Sequence, residues 1–251
     1  MEQWIEHLIE PVRLILSWQS PAAAVDRRRW AVGELSRREG KSEFRYFAGD
    51  EFRAMNHGRT PSNLRDDGFL GYAAFTWRAD QPDQFTAGAL EAFLRRVASP
   101  TRRDFPAYLQ TFRMRPREGL SGFALLGLTG AALPSDGFSL VDPLDPDVPA
   151  QDVLLEVTGH HYHAHPSRRL TVGTRLNLVA EPDNAADSSA VQVHAAGAVV
   201  GYVNRLQSAS VSRWLVSRSV SAWVSRVNGS EERPKAYMML QVRELARVLA
   251  D

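Results

Sequence analysis

The sequence of 251 residues contains no cysteine. Disulfides, thiolate nucleophiles and cysteine-based zinc sites are therefore excluded. No run of apolar residues reaches the roughly 18 residues that a membrane-spanning helix needs. The opening stretch, MEQWIEHLIEPV, carries three glutamates and lacks the basic segment and apolar run of a secretory signal. We therefore expect a cytoplasmic protein.

An excess of charge of one sign is also lacking: 30 Lys and Arg stand against 29 Asp and Glu, a net charge of +1. Residues 152–251 contain 11 basic and 9 acidic side chains, so this part is not strongly basic either. Lysine is nearly absent, with only Lys41 and Lys235, and arginine is suited to bidentate contacts with phosphate. A GC-rich genome produces the same bias. A nucleic-acid site would therefore be a local patch rather than a general basic surface.

A proline-rich and aspartate-rich stretch, Asp142-Pro-Leu-Asp-Pro-Asp-Val-Pro149, divides the chain. Such a stretch continues neither a helix nor a central strand. It predicts an N-terminal domain at 1–141, a linker at 142–150 and a second domain at 151–251.

The N-terminal domain is predicted to be mixed α/β. Apolar runs predict strands at 12–18, 30–35 and 44–47. Helical spacing and capping residues predict helices at 88–98, from Thr101 onwards, and at 119–129.

The second domain is predicted to be mainly β. Alternating segments predict six strands, at 153–158, 175–179, 190–194, 198–203, 221–227 and 236–242. One short helix is predicted at 208–217. Six short strands with one helix in about ninety residues are typical of a small, closed or partly open barrel. The fold class is therefore α+β, with a mixed N-terminal domain followed by a six-stranded β-barrel.

Three segments in the second domain form a specific pattern. They are Val157-Thr-Gly159-His-His-Tyr162, then Glu181-Pro-Asp-Asn184-Ala-Ala-Asp187-Ser-Ser-Ala190-Val191, then Val200-Gly201-Tyr202-Val-Asn-Arg205. Their order and spacing resemble the HIRAN domain, and the resemblance runs from Val153 to Val242. It implies an OB-like β-barrel that binds single-stranded DNA or DNA 3′ ends, in DNA repair, replication stress or defence.

The resemblance implies a role for each matching residue. Tyr162 would stack on a base. Asn184 would line the pocket, and Asp187 would accept a hydrogen bond from a terminal hydroxyl. Arg205 would contact phosphate. Tyr202 stands where a well-known member has a histidine.

Two positions depart from the family pattern. His161 replaces an arginine beside the stacking tyrosine, and its protonated form would restore the positive charge. Ala186 replaces a second aromatic residue, so one face of the stacking clamp is missing. A lost stack removes about 1–3 kcal/mol per base. Selectivity for 3′ ends is therefore less supported than DNA binding itself.

Structural roles are open for the same residues. Asn184 and Asp187 are typical of residues that bond their own backbone in a turn. Tyr162 and Tyr202 would also suit the core or rim of a barrel. Arg205 would also suit a solvated helix start.

Four histidines lie close together, at His160, His161, His163 and His165. On a strand, the last three would share one face and would offer three imidazoles to zinc. No carboxylate stands at a matching offset, however, and we predict neither a metal site nor a cofactor.

The N-terminal domain resembles the start of HipA-like proteins at Trp30-Ala-Val-Gly-Glu-Leu35 with Phe44-Arg-Tyr46, and at 93–109. The resemblance does not extend to their kinase core, so we expect no phosphoryl transfer. The sequence also lacks the motifs GxxxxGK[ST], GxSxG and HExxH. We therefore expect a DNA-binding protein without catalytic residues. The alternatives are a protein-interaction module of a HipA-like stress system and a metal-dependent nuclease that uses the histidines.

Overall fold

The computed structural model describes residues 4–21, 28–79, 81, 83–133, 135–164 and 169–245. The chain forms two compact units. One comprises 10–109 and 116–143, and we call it the five-stranded unit; the other comprises 1–9, 110–115 and 144–251, and we call it the six-stranded unit. These units combine separate stretches of chain. The continuous domains 1–141 and 151–251 stay a prediction.

The five-stranded unit is built on an antiparallel sheet with the strand order β4-β3-β2-β1-β5. Its strands are β1 (Arg13–Gln19), β2 (Arg29–Arg38), β3 (Lys41–Tyr46), β4 (Gln84–Phe85) and β5 (Phe138–Val141). The helices that accompany it are α1 (Gly49–Met55), α2 (Pro61–Asp66), α3 (Ala89–Leu94), α4 (Phe105–Gln110) and α5 (Gly122–Thr129). The three predicted strands and three predicted helices are present, whereas α1, α2, β4 and β5 had no sequence prediction.

Aromatic side chains dominate the core of this unit. The Phe44 ring lies 4.7 Å from the Phe75 ring and 4.9 Å from the Tyr46 ring, centroid to centroid. The Tyr46 hydroxyl donates to the Phe75 carbonyl and accepts from the Tyr72 N–H. Because it is buried, its pKa rises to about 12. The only polar atom of this ring is thus satisfied within the core.

The six-stranded unit is a second antiparallel sheet, with the order β6-β11-β10-β7-β8-β9. Its strands are β6 (Gln151–Glu156), β7 (Arg175–Ala180), β8 (Val191–Ala195), β9 (Ala198–Tyr202), β10 (Arg218–Gly229) and β11 (Pro234–Glu244). Two helices belong to it, α6 (His160–His163) and α7 (Arg205–Ser217). The six predicted strands and the helix α7 are therefore confirmed, and so is the α+β class.

The two outer strands of this sheet meet at one point. Thr158, which follows β6, forms an isolated bridge with Tyr202 at the end of β9. No continuous ladder joins these strands in the part of the chain that the structure describes, so the closed barrel stays a prediction. Trp214 of α7 is buried in the core below the sheet, together with Val211. The helix thus covers the apolar interior.

Two distant segments complete the six-stranded unit. The Asp152 carboxylate accepts hydrogen bonds from the backbone N–H groups of Glu6 and His7, at 2.9 and 3.0 Å. Its own N–H donates to the His7 carbonyl. The second segment, 110–115, is fixed by Arg113, whose guanidinium donates to the Ser225 carbonyl at 2.7 Å. The sequence carried no signal for either association.

The described residues include no helix that is both long and apolar enough to cross a membrane.

Candidate nucleic-acid interface

A close approach of two backbones positions the first half of the site. Gly201 has φ +148°, and a Cβ there would lie 2.6 Å from Val157 Cγ1 and 2.7 Å from the Thr158 carbonyl oxygen. Only glycine fits such a position without displacing its neighbours. The approach allows Thr158 and Tyr202 to exchange backbone hydrogen bonds of 2.8 and 2.9 Å. Tyr202 is thereby held beside the segment that follows β6.

That segment is a short helical turn and not the strand on which three histidines would share one face. Gly159 has φ +73°, a left-handed conformation that ends the extended chain and starts α6. His160 is then buried, with its Nδ1 2.8 Å from the Val200 carbonyl oxygen. The histidines therefore do not share a strand face, and His165 lies outside the described residues.

The helix α6 presents an exposed aromatic pair. Tyr162 is 79% exposed, and its ring centroid lies 3.8 Å from that of His161. The His163 ring lies 5.9 Å from the Tyr202 ring. An exposed tyrosine ring is a surface on which a nucleobase can stack. The structure thus places Tyr162, His161 and Tyr202 around one short helix.

The second half of the site is the turn between β7 and β8. Asn184 Oδ1 accepts hydrogen bonds from the N–H groups of Ala186 and Asp187, at 2.9 and 3.1 Å. Asp187 Oδ1 accepts from the Ser189 N–H at 2.9 Å. Both side chains therefore have the structural role that the sequence left open. Their roles toward DNA stay a prediction.

The same turn is tied to the start of α7. The buried Ser208 Oγ lies 3.2 Å from Asp187 Oδ2 and 2.9 Å from the Arg205 carbonyl oxygen. Asn204 caps the helix, because its Oδ1 accepts from the Leu206 N–H. Arg205 is the first residue of this 13-residue helix. Since the dipole of a helix favours anions at its N-terminus, this end of α7 suits a phosphate.

A polar chain beside the turn was missed by the sequence reading. Glu181 accepts hydrogen bonds from the side chains of Gln192 and Asn184. Gln192 Oε1 in turn lies 2.6 Å from His194 Nε2. The only sequence signal for this chain is strand alternation, since Gln192 and His194 lie two residues apart on β8.

The site residues therefore form two groups. Tyr162, His161 and Tyr202 surround α6, whereas Asn184 and Asp187 form the turn that contacts the start of α7. The short stretch from Tyr202 to Arg205 joins the groups along the chain. The described residues contain no group of three or more histidines and carboxylates arranged to hold a metal ion.

Comparison with known proteins gives one family match, the HIRAN domain, at residues 151–244. This match covers the three segments of the sequence pattern and confirms a HIRAN domain in this part of the chain. A similar solved structure is the HIRAN domain of human HLTF, at 15% identity and a TM-score of 0.31, covering 37% of this chain and 77% of that one. No curated protein matches. The comparisons do not support the HipA-like resemblance of the first part, which stays a prediction.

Proposed function

We propose that this protein binds DNA through its HIRAN domain and engages single strands, including 3′ ends, at the surface formed by α6, Tyr202 and the start of α7. HIRAN domains are in general DNA-binding modules for single strands or 3′ ends. The observation that carries the proposal is the exposed Tyr162 ring on a turn anchored by Gly159, His160 and the Gly201 approach.

Each group then has a distinct part in binding. The Tyr162 ring stacks on a base, and a protonated His161 adds positive charge beside it. The start of α7, with Arg205, receives a phosphate. Asp187 accepts a hydrogen bond from the terminal hydroxyl, and Asn184 holds the turn that presents it.

The stacking is one-sided in this proposal. Ala186, in the turn, has no ring to cover the second face of a base bound on Tyr162. A missing stack lowers affinity by about 1–3 kcal/mol per base. We therefore expect weaker binding than a two-sided clamp gives, and a dependence on the single remaining ring. We also propose that the Thr158–Tyr202 bridge marks the closure of an OB-like barrel.

Fluorescence anisotropy tests the proposal with labelled single strands, bearing a free or blocked 3′ end, and with duplex. Tyr162→Ala is expected to weaken single-strand binding about 5- to 150-fold, which corresponds to 1–3 kcal/mol of stacking. Tyr162→Phe keeps the ring and should retain binding. Val172→Ala is the matched control, because Val172 is also exposed and apolar in the same unit.

The outcomes separate the parts of the proposal. A preference for the free 3′ end that Tyr162→Ala removes supports end capture. Equal binding to all strands leaves a DNA-binding protein without end selectivity. No binding to any DNA refutes the proposal. A role in DNA repair, replication stress or defence is tested by the sensitivity of a deletion strain to DNA damage.

A further inference from the structure

The sheet of the six-stranded unit opens between β7 and β10. Only two residue pairs join these strands, Arg175 with Trp223 and Leu176 with Ala222. Strand β10 nevertheless begins at Arg218, and β7 continues to Ala180. No further pair continues this ladder in the described chain. The two strands therefore diverge, and each leaves an edge without a strand partner on this side.

A small groove with both polar and aliphatic lining residues lies where the strands diverge. It has a volume of about 170 Å³. Leu178, Leu215 and Val220 line it, and these three residues pack against the core but are only partly buried. The interior of the unit is thus accessible from outside at this point. The space suits one apolar side chain, because sites for drug-sized ligands have volumes of about 300–1,000 Å³.

One cationic residue lines the groove. Arg175 lines it and is exposed, and no carboxylate forms an ion pair with it among the described residues. Beyond Arg175, Val224 exchanges backbone hydrogen bonds with Gly173 and Thr174. The paired backbone blocks the groove there. A chain bound along the free edge of β7 would therefore meet this pairing next to Arg175.

We propose that this groove binds the C-terminus of a partner protein. The last side chain of the partner, an aliphatic one, fills the space between Leu178, Leu215 and Val220. The partner's backbone pairs with the free edge of β7 as an added antiparallel strand. The terminal carboxylate of the partner meets Arg175. Strand addition supplies affinity through the backbone, whereas the pocket and the cation supply specificity.

The chemistry of the groove favours a peptide over a DNA end. Leu178, Leu215 and Val220 are among the described lining residues and no aromatic residue is, whereas single-stranded nucleic acid is bound on aromatic rings along a basic path. The single arginine of the groove, Arg175, can form an ion pair with the single terminal carboxylate of a peptide. The free edge of β7 also offers backbone partners that a peptide can use and a sugar-phosphate chain cannot.

The test uses the full-length chain and an array of labelled hexapeptides that end in each of the twenty residues. Peptides ending in Val, Leu or Ile are expected to bind. The best of them is then compared by anisotropy with its C-terminal amide, and we expect about tenfold or greater loss of affinity for the amide. Arg175→Gln and Leu215→Asn should weaken the free acid by a similar factor. Arg213→Gln is the matched control, since Arg213 is an exposed arginine that pairs with Asp147.

Four results would overturn this assignment. They are no binding from any peptide, equal binding of acid and amide, displacement of the peptide by a single-stranded oligonucleotide, and a dimer of this chain that Arg175→Gln dissociates. Melting temperatures of the variants show that each is folded. The assignment is independent of DNA binding, because Arg175→Gln should leave the Tyr162-dependent anisotropy signal unchanged.

Discussion

Replacing Asp152 by alanine is expected to detach the N-terminal segment from the six-stranded unit. The Asp152 side chain is fully buried, and its Oδ2 accepts the N–H groups of both Glu6 and His7. Its Oδ1 lies 2.7 Å from the Arg243 guanidinium. The substitution removes the acceptor from two backbone donors and the counter-ion from a partly exposed arginine.

The magnitude follows from these contacts. A hydrogen bond to a charged acceptor contributes about 1.5–3 kcal/mol, and two are lost. Burying the Asp152 carboxylate is itself unfavourable, because it removes a charge from water. The variant avoids this cost, and part of the lost stability is therefore recovered. We expect a net loss of about 2–4 kcal/mol in the free energy of unfolding. Asp147→Ala is the control, because Asp147 forms an exposed ion pair with Arg213; its effect should stay below about 0.5 kcal/mol.

Amide hydrogen exchange gives the local readout. The amides of Glu6 and His7 should lose their protection in Asp152→Ala, whereas the amides of β8 should keep theirs. Urea unfolding supplies the free energy. If both amides stay protected and the unfolding midpoint is unchanged, the carboxylate does not hold the segment and the reasoning is refuted.

Acid should reproduce the effect. Burial alone raises the pKa of a carboxyl, but the N–H groups of His7 and Glu6 and the Arg243 guanidinium outweigh it and hold the pKa of Asp152 below its ordinary value. Because the pKa of Asp152 is lower in the folded state, the ionised carboxylate stabilises the fold fully above its unfolded-state pKa, about 3.9. It is lost as the pH falls through the folded-state pKa. The difference between wild type and Asp152→Ala should therefore shrink below about pH 4.

Three further predictions concern stability. Gly201→Ala should lower the free energy of unfolding by about 2 kcal/mol or more, because the new Cβ meets Val157 and Thr158. Gly197 also has a positive φ but has open space around it, so Gly197→Ala should lower it by only about 1 kcal/mol. Urea unfolding of both variants measures the two losses, and equal losses would contradict this reasoning. Arg96→Ala should cost about 3–5 kcal/mol, since Arg96 is almost fully buried and pairs with Asp136 through two hydrogen bonds. The exposed Arg102, paired with Asp104, is its control, and replacing Arg102 by alanine should leave stability almost unchanged. A fragment of 144–251 lacks the segments 1–9 and 110–115. Its melting temperature, measured by circular dichroism, should be lower than that of the six-stranded unit in the full chain. An unchanged melting temperature would show that the two segments are dispensable.

The sequence predicted those parts of the fold that depend on local pattern. The alternation of Val191 and Val193 marks β8, and both are buried. The spacing of Val211 and Trp214 marks α7, and both face the core. These elements have one polar and one apolar face, so periodicity alone defines them.

No helix was predicted at α6, because its residues fit two periods. Histidines at every second position suggest a strand, and they carry no apolar face that would indicate a helix. The conformation is decided by the left-handed Gly159 and by the bond from His160 to the Val200 carbonyl. The second of these is a contact between residues far apart in sequence, which local pattern does not contain.

The segments that complete the six-stranded unit were missed for a related reason. Asp152 lies next to a proline-rich stretch, where an aspartate predicts a turn. Its partners, Glu6 and His7, are about as far from it in sequence as the chain allows. A single buried carboxylate has no periodicity, so nothing in the sequence indicated that it binds two N–H groups.

The contact between Glu6 and Asp152 can form only after a long stretch of chain has been synthesised, because 146 positions separate the two residues. A ribosome adds about 5–20 residues per second, so residue 6 leaves the exit tunnel roughly 7–30 seconds before its acceptor does. Every residue of the five-stranded unit is made before β6. That unit can therefore finish folding during translation, before Glu6 and His7 meet their acceptor. Closing so long a loop is also slow in refolding. Glu6 and His7 therefore stay without this acceptor until residue 152 has been made.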